Sequence, residues 1–172
     1  TLDINTHSKK PFRVMGKGLR SQWSGHLNIR NSFDSPKAVG ALKLHSGNFH
    51  FAGKSFLITD GNLNFHEGTE NPQTIDVIAE LILDSITVKA TLNGPLSSPK
   101  LNLESSPNMS LNAILAKIMF NRDIGEITPI ESLQIGQVII DMSEGRFSGE
   151  LFGKLGKLKK NIGLDQVSVS NI

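Results

Sequence analysis

Over residues 2–106 the apolar residues recur at every second position, the pattern of strands with one dry face and one wet face. Trp23, Gly25, Leu27, Ile29 and Phe33 share one parity, while Ser24, His26, Asn28, Arg30, Ser32 and Asp34 share the other. Ile86, Val88, Ala90 and Leu92 alternate in the same way with Thr87, Lys89, Thr91 and Asn93. Further strands are predicted over 41–45, 48–52, 55–59, 62–66, 75–83 and 101–104. Proline falls between these runs, at Pro11, Pro36, Pro72, Pro95, Pro99 and Pro107, where a missing N–H interrupts no ladder. Two internal echoes accompany the alternation. Ile29-x-Asn31-x-Phe33-x-Ser35-Pro36-Lys37 returns as Leu92-x-Gly94-x-Leu96-x-Ser98-Pro99-Lys100, and Gly47-Asn48-Phe49-His50-Phe51 returns as Gly61-Asn62-Leu63-Asn64-Phe65. Such echoes point to a regular stack of strands and turns along one axis.

After Pro107 the period changes from two to about 3.6. Ser110 is placed to cap a helix with Leu111, Ile114, Leu115, Ile118 and Met119 on one stripe. Thr128, Pro129 and Glu131 form a capping-box signature with proline at the first helical position, opening a helix through Ile130, Leu133, Val138, Ile139 and Met142. A third helix is predicted over about 149–161, with Leu151, Phe152, Leu155, Leu158 and Ile162 apolar and Gly163 as its cap; Val167 to Val169 resume strand character. The reading is therefore a mainly β chain: a sheet over 1–106, a helical segment over 107–163 packed on or at the end of it, and the start of a further strand over 164–172.

Composition narrows function mainly by exclusion. With 38% hydrophobic and 20% charged residues the chain folds, and 18 Lys+Arg against 16 Asp+Glu give no general attraction to nucleic acid. The absence of cysteine removes disulfides, Cys-type zinc sites and a thiol nucleophile. No run approaches the roughly 18 apolar residues that span a bilayer, and a chain opening on Thr1 reads as a mature product or an excised piece. His7, His26, His45, His50 and His66 are scattered, and no hydrolase, phosphate-loop or metalloprotease motif is present, so neither an enzyme nor a cofactor is expected.

Set end to end, the features resemble the C-terminal domain of the TamB family, the inner-membrane subunit of the translocation and assembly module. The resemblance rests on Val14-x-Gly16-x-Gly18-Leu19, Trp23-x-Gly25-x-Leu27, and Ser35-Pro36 followed by Gly40-x-Leu42-x-Leu44, Gly47-x-Phe49-x-Phe51-x-Gly53 and Phe56. It continues through Gly61-x-Leu63-x-Phe65, Ser98-Pro99-Lys100-Leu101-x-Leu103-x-Ser105-x-Pro107, the Ile114-Leu115 to Phe120-x-Arg122 helix end and Gly163-Leu164-Asp165. Asn121 stands where that pattern usually has glycine, Asn112 and Ala113 replace acidic residues, and the family's pattern runs on past Val169 through strands absent here. The resemblance implies a sheet curled into an open trough with an apolar concave face, a periplasmic location, and a parent anchored in the inner membrane by an N-terminal segment. It also implies phospholipid transport between the two membranes and a link to outer-membrane protein assembly through an Omp85-type partner.

Under that reading the acyl chains of phospholipid meet Leu27, Ile29, Phe33, Leu42, Leu44, Phe49, Phe51, Phe56, Leu63, Phe65, Val77, Leu81, Val88, Leu92, Leu101 and Leu103. The alternative is that these residues close on one another in a dry sandwich or solenoid that acts by strand augmentation. Lys154, Lys157, Lys159 and Lys160 suit either contact with an anionic membrane surface or a solvated helix face. An unpaired edge near Leu2 to Thr6 would favour dimers.

Overall fold

A computed structural model describes residues 2–16, 18–32, 35–68, 73–144 and 168–170. Seven strands follow one another as an antiparallel meander: β1 (Leu2–Gly16), β2 (Leu19–Ser32), β3 (Ser35–Phe51), β4 (Lys54–Phe65), β5 (Gln73–Leu83), β6 (Ile86–Pro95) and β7 (Lys100–Ser106). A short β8 (Ser168–Ser170) pairs with β1 at Arg13 to Met15, giving the order β7-β6-β5-β4-β3-β2-β1-β8. The sheet is open: β7 and β8 end it and do not meet among the described residues. The predicted helix over 149–161, the cap at Gly163, Phe33 and the four lysines from Lys154 to Lys160 lie outside the described residues.

Four of the predicted strands turn out to be two. Residues 41–45 and 48–52 fall on β3, apart from Ala52 in the turn, and residues 55–59 and 62–65 fall on β4. Each strand carries an extra residue where a turn had been expected. Gln22 pairs with Ser46 but Trp23 pairs with Leu44, leaving His45 over; Ile58 pairs with Ala79 but Asp60 pairs with Ile78, leaving Thr59 over. The physical consequence is a change of parity. An odd insertion moves every later side chain to the other face, so Leu42 and Leu44 before the bulge share a face with Gly47, Phe49 and Phe51 after it. Phe56 and Ile58 likewise share a face with Gly61, Leu63 and Phe65. The Gly47 to Phe51 and Gly61 to Phe65 echo is thus the second half of two neighbouring bulged strands.

The prolines correct one expectation. Pro11 does not lie between strands but within β1, where Ser8 pairs with Gly25 and Phe12 with Trp23, so that Lys9 to Pro11 face Ser24 alone. A residue without an N–H is tolerated in such a bulge. Pro36 and Pro95 sit at strand ends.

After β7 the chain forms α1 (Leu111–Phe120), a short 3-10 turn (Ile124–Glu126) and α2 (Pro129–Ser143). Ser110 Oγ accepts from the Ala113 N–H at 3.3 Å, capping α1 as expected. At its other end Asn121 takes φ 56° and ψ 37°, and its N–H donates to the Lys117 carbonyl. Asparagine is the residue that replaces glycine most readily in this left-handed cap. Thr128 and Glu131 close a reciprocal capping box on α2: the Thr128 N–H donates to Glu131 Oε2 at 2.7 Å, and the Glu131 N–H donates to Thr128 Oγ1 at 3.3 Å.

The Glu131 carboxyl is held below the usual glutamate range, first by the Thr128 backbone N–H and then by the Thr128 hydroxyl and the Arg122 guanidinium, 3.4 Å away. A lowered folded value means that this stabilisation is present above the unfolded pKa of about 4.3 and is lost as pH falls through the folded value. Melting of Glu131→Gln should accordingly match the parent in strong acid and fall below it at pH 7. Equal melting at both pH values would show that the carboxylate charge adds nothing to the box.

Candidate functional site: one apolar sheet face

The strand register assembles the apolar residues into rows that cross the sheet. Leu27 stands opposite Gly40, and Gly40 opposite Phe65. Leu42, Leu63, Ile75 and Gly94 form the next row, and Gly61, Val77, Leu92 and Leu101 the one after. Ile58, Ala79, Ala90 and Leu103 follow, then Leu81 with Val88. Phe49 and Phe56 pair at the same end of the sheet. Fifteen of the expected groove positions thus share one parity of the sheet, Ile29 among them two residues beyond Leu27 and opposite Ala38, and Phe33 lies outside the described residues.

Small residues on this face make room for large ones. A Cβ on Gly61 of β4 would stand 3.1 Å from the far edge of the Trp23 indole and 3.0 Å from Leu44 Cβ, so the indole reaches from β2 across β3. Its Nε1–H donates to Ser21 Oγ at 2.8 Å, which removes the cost of burying that polar edge. Trp23 is 5% exposed. Trp23, Ile58, Ile75 and Ile86 belong to the face but were not among the expected groove residues, although strand parity was the signal that marked them.

The opposite face is wet. Glu80, Lys89 and Glu104 line up across β5, β6 and β7 as alternating charges, and Ser24 bonds His45 at 2.6 Å in the open. Leu57 and Ile82 interrupt that face as exposed apolar residues.

The helices divide the apolar face in two. Ile114 and Ile118 of α1, each 1% exposed, pack among Phe56, Ile58, Ala79, Leu81, Ile86 and Val88. Leu115 and Ala116 turn to Ile135, Val138 and Met142 of α2, with Leu92, Leu101 and Leu103 at the margin of the same cluster. The end of the sheet bearing the β3–β4 and β5–β6 turns is therefore covered by the chain's own helices. Leu27, Leu63, Phe65 and Ile75, toward the other end, are half-buried and belong to neither helix cluster; Leu42 belongs to neither but is itself buried, 8% exposed. Alternation in the sequence does not reveal this division, because it fixes a face and not what lies upon it.

Comparison with protein families matches residues 1–171 to the TamB C-terminal domain. The chain belongs to the TamB family. It is 24% identical over 163 residues to the translocation and assembly module subunit TamB of Haemophilus influenzae, covering 91% of this chain and 12% of that protein. The chain thus spans about an eighth of that relative's length. No described helix of this TamB-family module is long and apolar enough to cross a membrane.

Proposed function

We propose that this TamB-family module shelters phospholipid acyl chains on the uncovered half of its apolar face, as one stretch of a path between the inner and outer membranes. The observation that carries the proposal is the double bulge in β3 and β4, which keeps apolar side chains on one face through a change of parity while the sheet stays open. Each bulge also bends and twists its strand, and the register carries the apolar face through both bends. The uncovered rows cross β2 to β6, and five strands at a spacing of about 4.8 Å give an apolar path of roughly 20 Å. Sheltering ten methylenes at about 0.8 kcal/mol each offsets about 8 kcal/mol of the cost of leaving a bilayer.

The path needs no catalytic group. An apolar surface that matches the membrane interior holds lipid without trapping it, and the wet face with its ladder of charges keeps the other side in water. The parent is read as periplasmic, anchored in the inner membrane, and linked to an Omp85-type partner through the assembly module; the name of the Haemophilus influenzae relative supports membership of such a module and no more.

Chloroform–methanol extraction of the chain purified without detergent tests the proposal. Phospholipid is expected at near one molecule per chain. A lipid-free preparation that takes up none from vesicles would return the face to a purely structural role.

A further inference from the structure

The wet face of the sheet arranges its charges in two different ways. Across β5, β6 and β7, Lys89 stands between Glu80 and Glu104, so that cation has a carboxylate on both neighbouring strands. Across β8, β1, β2 and β3 the arrangement changes. Arg13 stands between Ser170 and Gln22, and Arg20 between Met15 and Asn48, so the neighbours of both are neutral. The two arginines are diagonal partners on adjacent strands, a separation of about 7–8 Å that long side chains bridge. Among the described residues no ion pair engages either guanidinium. Two like charges therefore stand side by side without a carboxylate between them, which costs stability until an anion joins them.

The same residues line a cleft of about 350 Å³, within the range of roughly 300–1,000 Å³ that small-molecule sites occupy. Its polar wall is Arg13, Arg20, Gln22, Ser46 and Asn48, and among the described residues no acidic side chain lines it. Met15 and Leu57 add exposed apolar surface to the same cleft. A regular pleated face offers no such hollow. Here the bulge of β1 at Lys9 to Pro11 and that of β3 at His45 lie on either side of β2, between Gln22 and Gly25 and next to the cleft. Each bulge bends its strand and raises its twist, which opens the face between them.

We infer that this cleft binds a phosphate ester, whose phosphoryl oxygens are shared by the Arg13 and Arg20 guanidinium groups. Arginine stays protonated throughout the physiological range, and its planar fork matches the oxygens of a phosphate in pairs. The two oxygens of a carboxylate are filled by one fork, whereas a phosphoryl group has acceptors for two forks and for the amide of Gln22 or Asn48 as well. Met15 and Leu57 give the esterified group an apolar seat, which bare phosphate would not use. A soluble ester and the headgroup of an anionic lipid present this same chemistry. The cleft lies on the face opposite to the acyl path, so the inference goes beyond the lipid-sheltering proposal and does not depend on it.

The arginine Nε–H resonances of the whole chain, followed by NMR through a titration with glycerol 3-phosphate at constant ionic strength, test the inference. Arg13 and Arg20 should shift together and saturate, at least about three times as far as Arg122, which already pairs with Glu131. Sodium acetate should move them less than about a third as far. Arg13→Gln should abolish the saturable shift of Arg20, and Arg20→Gln that of Arg13, while Lys89→Gln leaves both. Arg13 and Arg20 are exposed, so these variants fold, and an unchanged amide spectrum away from the cleft verifies it. Flotation with phosphatidylglycerol vesicles identifies the source of the phosphate. Binding that falls at least about fivefold in the chain carrying both Arg13→Gln and Arg20→Gln assigns it to a lipid headgroup, and binding that is absent or indifferent to the pair assigns it to a soluble ester. Shifts that stay linear, that acetate reproduces, or that persist at one arginine when the other is replaced would overturn the inference.

Discussion

Val88→Arg is expected to leave the module unfolded. Val88 is 0% exposed on β6 and belongs to the cluster in which Ile114 and Ile118 of α1 close over Phe56, Leu81 and Ile86. A guanidinium placed there has no partner among these residues. An uncompensated buried charge costs several kcal/mol, comparable with the roughly 5–15 kcal/mol that holds a domain together. Circular dichroism and thermal melting check the outcome. A Val88→Arg chain that keeps its strand signal and melts cooperatively within a few degrees of the parent would mean that α1 does not seal this end of the sheet.

Leu63→Arg has the opposite expected profile: a folded protein that no longer holds lipid. Leu63 lies in the row of Leu42 and Ile75, is half-buried, and belongs to neither helix cluster. Its arginine stem can lie along the apolar surface while the charged head reaches water, so the loss of stability should stay within about 2 kcal/mol, in the range of ordinary single substitutions. An ionised group across the acyl path should lower bound phospholipid at least tenfold. Asn93→Arg, on the wet parity of β6 and exposed, is the matched control and should change neither quantity. Leu92 is less suitable for this test because it packs at the edge of the α1 and α2 cluster, so an arginine there would disturb both halves at once.

Much of the sheet was legible in the sequence because a period of two is a strong signal and both helix starts carry explicit caps. Ser110, Thr128 and Glu131 do in the structure what their spacing predicts. The bulges were hidden. His45-Ser46 and Thr59-Asp60 are consecutive polar pairs that break alternation, and in one dimension a bulge and a turn break it identically. Only pairing with β2 and β5 distinguishes them. Pro11 misled for the same reason, since a proline inside a bulge and one between strands leave the same trace. The burial of Ile114 and Ile118 could be expected from their stripe, but not that they would cover Phe56, Leu81 and Val88, because a stripe does not name its partner. In α2 a period near 3.6 fits both of its apolar sides, so the pattern marks Ile130 and Leu133 as helical without telling that they point outward, 69% and 75% exposed.

The most direct measurement places a photoreactive p-benzoylphenylalanine at Phe65, a half-buried aromatic in the uncovered rows, with Ile82 on the wet face as its counterpart. Irradiation in cells followed by mass analysis of the purified chain should yield phospholipid adducts at position 65 and essentially none at position 82. Absence of lipid adducts at 65, or equal yields at the two positions, would contradict the sheltering of acyl chains on this face.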